Sequence, residues 1–115
     1  MYQEIKKWLL GLFEDDPIPF EVVNLYFLLH REGEYFYISF GGNELPLKRL
    51  FNFEYYPLEA QFFDVYKFNK HFTLTNLKLI VEKLESDKDF LEIFKEKTIY
   101  IGIFGKKEIC LLWFS

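Results

Sequence analysis

The chain has 115 residues, the size of one ordinary domain, and we read residues 1–115 as a single unit. Half of its residues are apolar and its net charge is −4, a composition that folds and is not that of a disordered segment. Six Gly, four Pro and one Cys exclude collagen-like and low-complexity chains and any disulfide framework.

From Tyr2 to Phe13 the apolar residues Ile5, Trp8, Leu9, Leu12 and Phe13 recur at helical spacing, predicting an amphipathic helix that ends at Asp15-Asp16-Pro17. Its polar face lacks the basic character of a membrane-surface helix, so the apolar stripe is expected to pack on a core.

Phe20–Phe40 reads as a β-hairpin. A two-residue turn at Glu32-Gly33 pairs His30 with Tyr35, Leu29 with Phe36, Phe27 with Ile38 and Leu25 with Phe40. One face is then apolar throughout: Val23, Leu25, Phe27, Leu29, Phe36, Ile38 and Phe40. The other carries Asn24, Tyr26, Leu28, His30, Tyr35, Tyr37 and Ser39. Agreement of the two-residue period across both arms supports the pairing.

Gly41-Gly42-Asn43 is expected to break the second arm, and Phe51, Phe53 and Tyr55 alternate as a third strand. Leu58–Phe68 fits a short helix with Pro57 in its first turn, or a strand with Leu58, Ala60 and Phe62 on one face; the helix is preferred. Thr75 is placed as the cap of a helix buried through Leu77, Ile80, Val81 and Leu84. Ser86 with Asp89 resembles a capping box for a third helix holding Phe90, Leu91, Ile93 and Phe94. A second hairpin, Thr98–Phe114, turns near Gly105-Lys106. Its second arm is almost unbroken apolar, the pattern of a central strand. The predicted class is α+β, a mainly antiparallel sheet of two hairpins and an extra strand with about three helices packed on it.

Function is less legible. The acidic excess lies in residues 1–46, with eight carboxylates against three cations, and the chain has no basic stripe. Phosphate-backbone recognition wants clustered Lys and Arg, so nucleic acid is not an expected partner. No apolar run reaches the roughly 18–20 residues that span a bilayer, so no membrane partner is expected. Met1–Phe13 lacks a signal peptide's apolar core. Cys110, alone in an apolar stretch, reads as a buried hydrophobe in a reducing compartment. A cytoplasmic location follows.

No catalytic motif stands out, and no cofactor is implied. His30 and His71 lack metal-helix spacing, and two His with one Cys make a thin ligand set. Glu14-Asp15-Asp16 lacks the alternation of a calcium loop. The serines Ser39, Ser86 and Ser115 sit in no nucleophile motif. What remains is aromatic surplus: 15 Phe, 8 Tyr and 2 Trp against a single Ala. The candidate binding face is Tyr26, His30, Tyr35 and Tyr37, since Tyr and Phe concentrate at interface centres. Tyrosine's preference for strands gives a plainer explanation, with a helix simply covering this face. The leading expectation is a non-enzymatic association module, a homodimer or a binder of another protein. The alternatives are a small-molecule binder with Phe62, Phe63, Tyr66 and Phe68 lining a pocket between sheet and helices, and an enzyme using His30.

Overall fold

A computed structural model describes residues 1–45, 55, 62–104 and 109–114, with 104 and 109–114 described as backbone. It is a small α+β domain: among the described residues two helices lie on one face of a mixed sheet. The helices are α1 (Tyr2–Asp15) and α2 (Leu74–Ser86). The strands are β1 (Asn24–Glu32), β2 (Tyr35–Asn43), β3 (Phe62–Asp64), β4 (Thr98–Phe104) and β5 (Ile109–Phe114), in spatial order β3-β2-β1-β4-β5. β1 is antiparallel to β2 but parallel to β4. The mainly antiparallel expectation therefore holds for three pairings and fails at the fourth, because the chain leaves β2, passes through α2 and returns beside β1.

Both helices bury the stripes that their periodicity marks. α1 buries Ile5, Leu9, Leu12 and Phe13, and α2 buries Leu77, Val81 and Leu84. They pack with Leu25, Phe27, Leu29, Phe36, Ile38, Phe40, Ile99 and Ile101, the apolar sheet face, in one core. Each fully buried Leu, Ile or Phe contributes about 1.5–3 kcal/mol against the chain entropy lost on folding.

α2 is capped by Thr73, not Thr75. Its hydroxyl accepts from the Asn76 N–H at 3.2 Å, and Asn76 Oδ1 accepts from the Thr73 N–H at 2.9 Å. This is a reciprocal capping box in which Asn replaces the usual Glu.

The third helix is absent. Ser86 is the last residue of α2, and turns follow in residues 88–96. Asp87 caps that end, and its carboxylate accepts from the Asp89 N–H at 3.0 Å, a local turn that competes with a helix start. Phe90 and Phe94 still reach the core and stack at 5.3 Å.

The first hairpin turns at Gly33-Glu34, one residue later than the expected Glu32-Gly33, so His30 faces Tyr37, Leu29 faces Ile38, Phe27 faces Phe40 and Leu25 faces Gly42. Gly33 has φ +63°, and it is the first of the two turn residues. Positive φ at that position alone is the type II′ pattern, which asks for glycine there and sets the register. The partners slip by two residues, so every side chain keeps its face.

Gly41-Gly42-Asn43 does not end the strand, because β2 runs through it to Asn43. A Cβ on Gly42 would stand 2.6 Å from Val22 Cγ1 and 3.0 Å from the Asn24 carbonyl oxygen. Close approach of backbone, not strand termination, is what this glycine serves. Of the expected strand at 51–55 only Tyr55 is described, in a two-way backbone bridge to Gly42. In the 57–68 segment the preferred helix fails at 62–64, which is strand β3; residues 57–61 lie outside the described residues. β5, expected to be central, is at an edge among the described strands. The Gly105-Lys106 turn and the Cys110 side chain also lie outside the described residues.

Candidate functional site

Directly opposed residues of neighbouring strands project to the same side, so the register lays out the sheet face away from the helices. Glu32 stands beside Tyr35. His30, Tyr37 and Asp64 form the next row, and Leu28, Ser39 and Phe62 the one after. Tyr26 follows, flanked by Gly41 and Tyr100.

This face divides into a buried half and an exposed half. Tyr26, Leu28 and Ser39 are fully buried and His30 nearly so, although both helices lie on the opposite side. The simple alternative, a helix laid over this face, does not describe α1 or α2. The Tyr26 ring stacks on Tyr100 at 4.7 Å and 12°, and the Tyr100 hydroxyl donates to Asn24 Oδ1 at 3.1 Å. Tyr26 is thus part of the sheet's packing and offers nothing to an external partner.

His30 has a built environment. Its Nε2 lies 2.6 Å from Ser39 Oγ. Its ring stacks on Tyr37 at 4.9 Å and 10°, and the Phe62 ring meets it edge-on at 5.6 Å. Burial pushes the imidazole down to about 4, so it is neutral at pH 7. A serine–histidine pair suggests nucleophilic chemistry, but the Ser39 hydroxyl is sealed from solvent. The bond satisfies two polar groups that burial would otherwise leave costly.

The exposed half is the candidate site. Tyr35 is 63% exposed and Phe62 46%. Tyr37, half-buried between them, meets Phe62 edge-on at 4.8 Å and 75°. Tyr35 leans on Tyr66 at 5.0 Å. Together with Glu32, Phe36 and Asp64 these residues border an open groove of about 450 Å³. Burial and then the Glu32 charge push the Tyr37 hydroxyl pKa up. The structure therefore joins Tyr35 and Tyr37 at the surface, sets His30 beneath them and removes Tyr26.

Sequence reasoning did not place Glu32, Phe62 or Asp64 here. Phe62 carried a signal, its alternation with Leu58 and Ala60. Of the residues expected to line a pocket between sheet and helices, Phe62 does not join Phe63, Tyr66 and Phe68 on the helix side. Phe63 faces α1, meeting Trp8 at 5.6 Å, while Phe62 points to the opposite side and Phe68 is 46% exposed.

A larger surface cavity, about 640 Å³, lies between the α1–β1 connection and the turns before β4. Phe13, Ile18, Val23 and Ile93 give it apolar walls, with Glu92 and Lys97 among its charged residues. Lys97 is already engaged, donating to the Val22 carbonyl at 2.7 Å. His71 is exposed in a turn, its N–H donating to Asn69 Oδ1. Among the described residues no three His, Cys, Asp or Glu side chains converge as a metal site. No described helix is long and apolar enough to cross a membrane. Comparison with protein-family models, curated proteins and solved structures returned no match.

Proposed function

We propose that the protein is a non-enzymatic association module that binds an extended segment of a partner protein along the outer side of β3 and the groove beside it. The observation that carries this reading is the exposed aromatic groove of Tyr35, Tyr37 and Phe62 beside β3, a three-residue strand at an edge among the described strands. A sheet edge offers backbone N–H and C=O groups to a further strand, while flanking grooves read alternate side chains. Rings held by their neighbours bury much area with few rotors to freeze.

Charge favours another protein over a second copy. A two-fold dimer through this groove would bring the Glu32 and Asp64 carboxylates of both copies into one space, a juxtaposition of like charge that costs energy. The lone cysteine and the absence of a spanning helix among the described residues suit a cytoplasmic setting.

Panning a displayed library of extended peptides against the protein tests this directly. The reading expects an enriched consensus whose binding is lost in Phe62→Ser and kept in Leu79→Ser, a control on α2 where Leu79 is 57% exposed. Binders indifferent to Phe62, or no enrichment, would remove it.

A second reading, small-molecule binding, rests on the 640 Å³ cavity with its apolar walls. It expects native mass spectrometry of freshly purified protein to show a fixed added mass, and a bare polypeptide mass would count against it.

A further inference from the structure

We infer that the Tyr35–Tyr37–Phe62 groove is a cation cage that takes an arginine side chain from the partner segment. The inference rests on the association reading above and names the chemistry that the groove selects.

The rings supply the walls. Tyr37 and Phe62 stand at 75° to each other, 4.8 Å between centroids, and both border the groove. Tyr35, on the same side of the sheet two residues from Tyr37, closes the end nearest the hairpin turn. An aromatic face attracts a cation through its quadrupole, and an arrangement of several rings excludes the water that would compete for it.

The carboxylates supply the sign. Glu32 and Asp64 are both exposed, lie on this face and border the same groove from opposite flanks. Glu32 is opposite Tyr35 in the ladder and Asp64 opposite Tyr37. Each carboxylate thus adjoins a ring, the disposition that suits a guanidinium stacked on the aromatic and hydrogen-bonded at its margin. A planar guanidinium with five donors meets both demands, whereas an anion would face repulsion from either flank. Neighbouring rings already attract cations from within the molecule: Arg31 lies 5.1 Å from the Phe36 centroid, and Lys70 lies 6.0 Å from that of Tyr66.

The test is a side-chain NMR titration of the full chain with N-acetyl-arginine amide. N-acetyl-citrulline amide serves as the comparison, with nearly the same shape and no charge. The expected result is saturable shifts of the Tyr35, Tyr37 and Phe62 ring signals with the arginine probe, and much smaller ones with citrulline. The double variant Glu32→Gln/Asp64→Asn should bind the arginine probe about two- to fivefold more weakly, the range of an exposed cation–π and ion-pair site. Equal response to both probes, or an arginine response centred elsewhere, overturns the cage. Failure of the two readings is separable. Library peptides that bind through Phe62 without carrying arginine would leave association standing and overturn the cage. An arginine-specific ring response in a protein that selects no peptide would do the reverse.

Discussion

The imidazole of His30 and the ring of Tyr37 stack face to face, 4.9 Å apart and within 10° of parallel, across the β1–β2 ladder. The pairing places a neutral, buried base directly beneath an exposed aromatic groove. Ser39 holds the far side of the imidazole through Nε2 at 2.6 Å, so packing and hydrogen bonding both fix the floor of the groove. A rigid floor is what lets surface rings bind without first being ordered.

The buried imidazole makes stability pH-dependent. The unfolded His30 takes a proton near pH 6.5, while the folded one holds off until about 4. Its contribution is therefore complete above 6.5 and is lost as pH falls through that window, at up to about 1.4 kcal/mol per pH unit. Urea denaturation at pH 7 and pH 5 should show the drop, and His30→Gln should shrink the difference. A His30 imidazole resonance, assigned by its loss in His30→Gln, that titrates near 6.5 in the folded protein would contradict this.

Gly42 and Gly11 should respond to alanine in opposite directions. A methyl group at 42 has its nearest atoms at 2.6 and 3.0 Å, one of them the Asn24 backbone oxygen. Overpacking of that kind costs about 1–3 kcal/mol. At 11, within α1, nothing lies within 4 Å of the new Cβ. Gly11→Ala should therefore stabilise by about 0.5–1 kcal/mol through helix propensity. Denaturant midpoints of the two variants measure the contrast.

Asp87 joins the start of α1 to the end of α2. Its Oδ2 accepts from the Tyr2 hydroxyl at 2.7 Å and pairs with Lys6 Nζ at 2.9 Å, and Lys6 also reaches Asp89 at 2.7 Å. The Asp89 backbone N–H, then Lys6 and Tyr2, hold the Asp87 carboxyl down at about 2. A depressed carboxylate stabilises above its ordinary pKa, and this contribution fades as pH falls from near 4 toward 2. Asp87→Asn should lower the melting temperature at pH 7 and have little effect at pH 2. Equal loss at both would show that the ion pairs contribute nothing.

Much of the fold was legible because hydrophobic period survives errors of detail. The hairpin partners were misplaced by two residues, yet the apolar set from Leu25 to Phe40 still fell on the core face. What failed depended on three-dimensional neighbours. Gly42 reads as a strand breaker until Val22 is seen against it. Phe90 and Phe94 have helical spacing and are buried, but Asp87 turns the chain instead. The site was half legible for the same reason. Tyr35, Tyr37 and His30 follow from the alternation of one hairpin, whereas Phe62 and Asp64 arrive on a three-residue strand too short to announce itself. Tyr26 has the same alternation as Tyr37, and only its complete burial distinguishes a packed ring from an available one.

Mapping the strongest library peptide onto isotope-labelled protein tests the association reading most directly. The amides of Tyr35–Ser39 and Phe62–Asp64 should shift together on titration, while those of Leu77–Leu84 on α2 stay unmoved. Shifts centred on α2, or on the cavity walls around Ile18 and Ile93, would place the interaction elsewhere and contradict it.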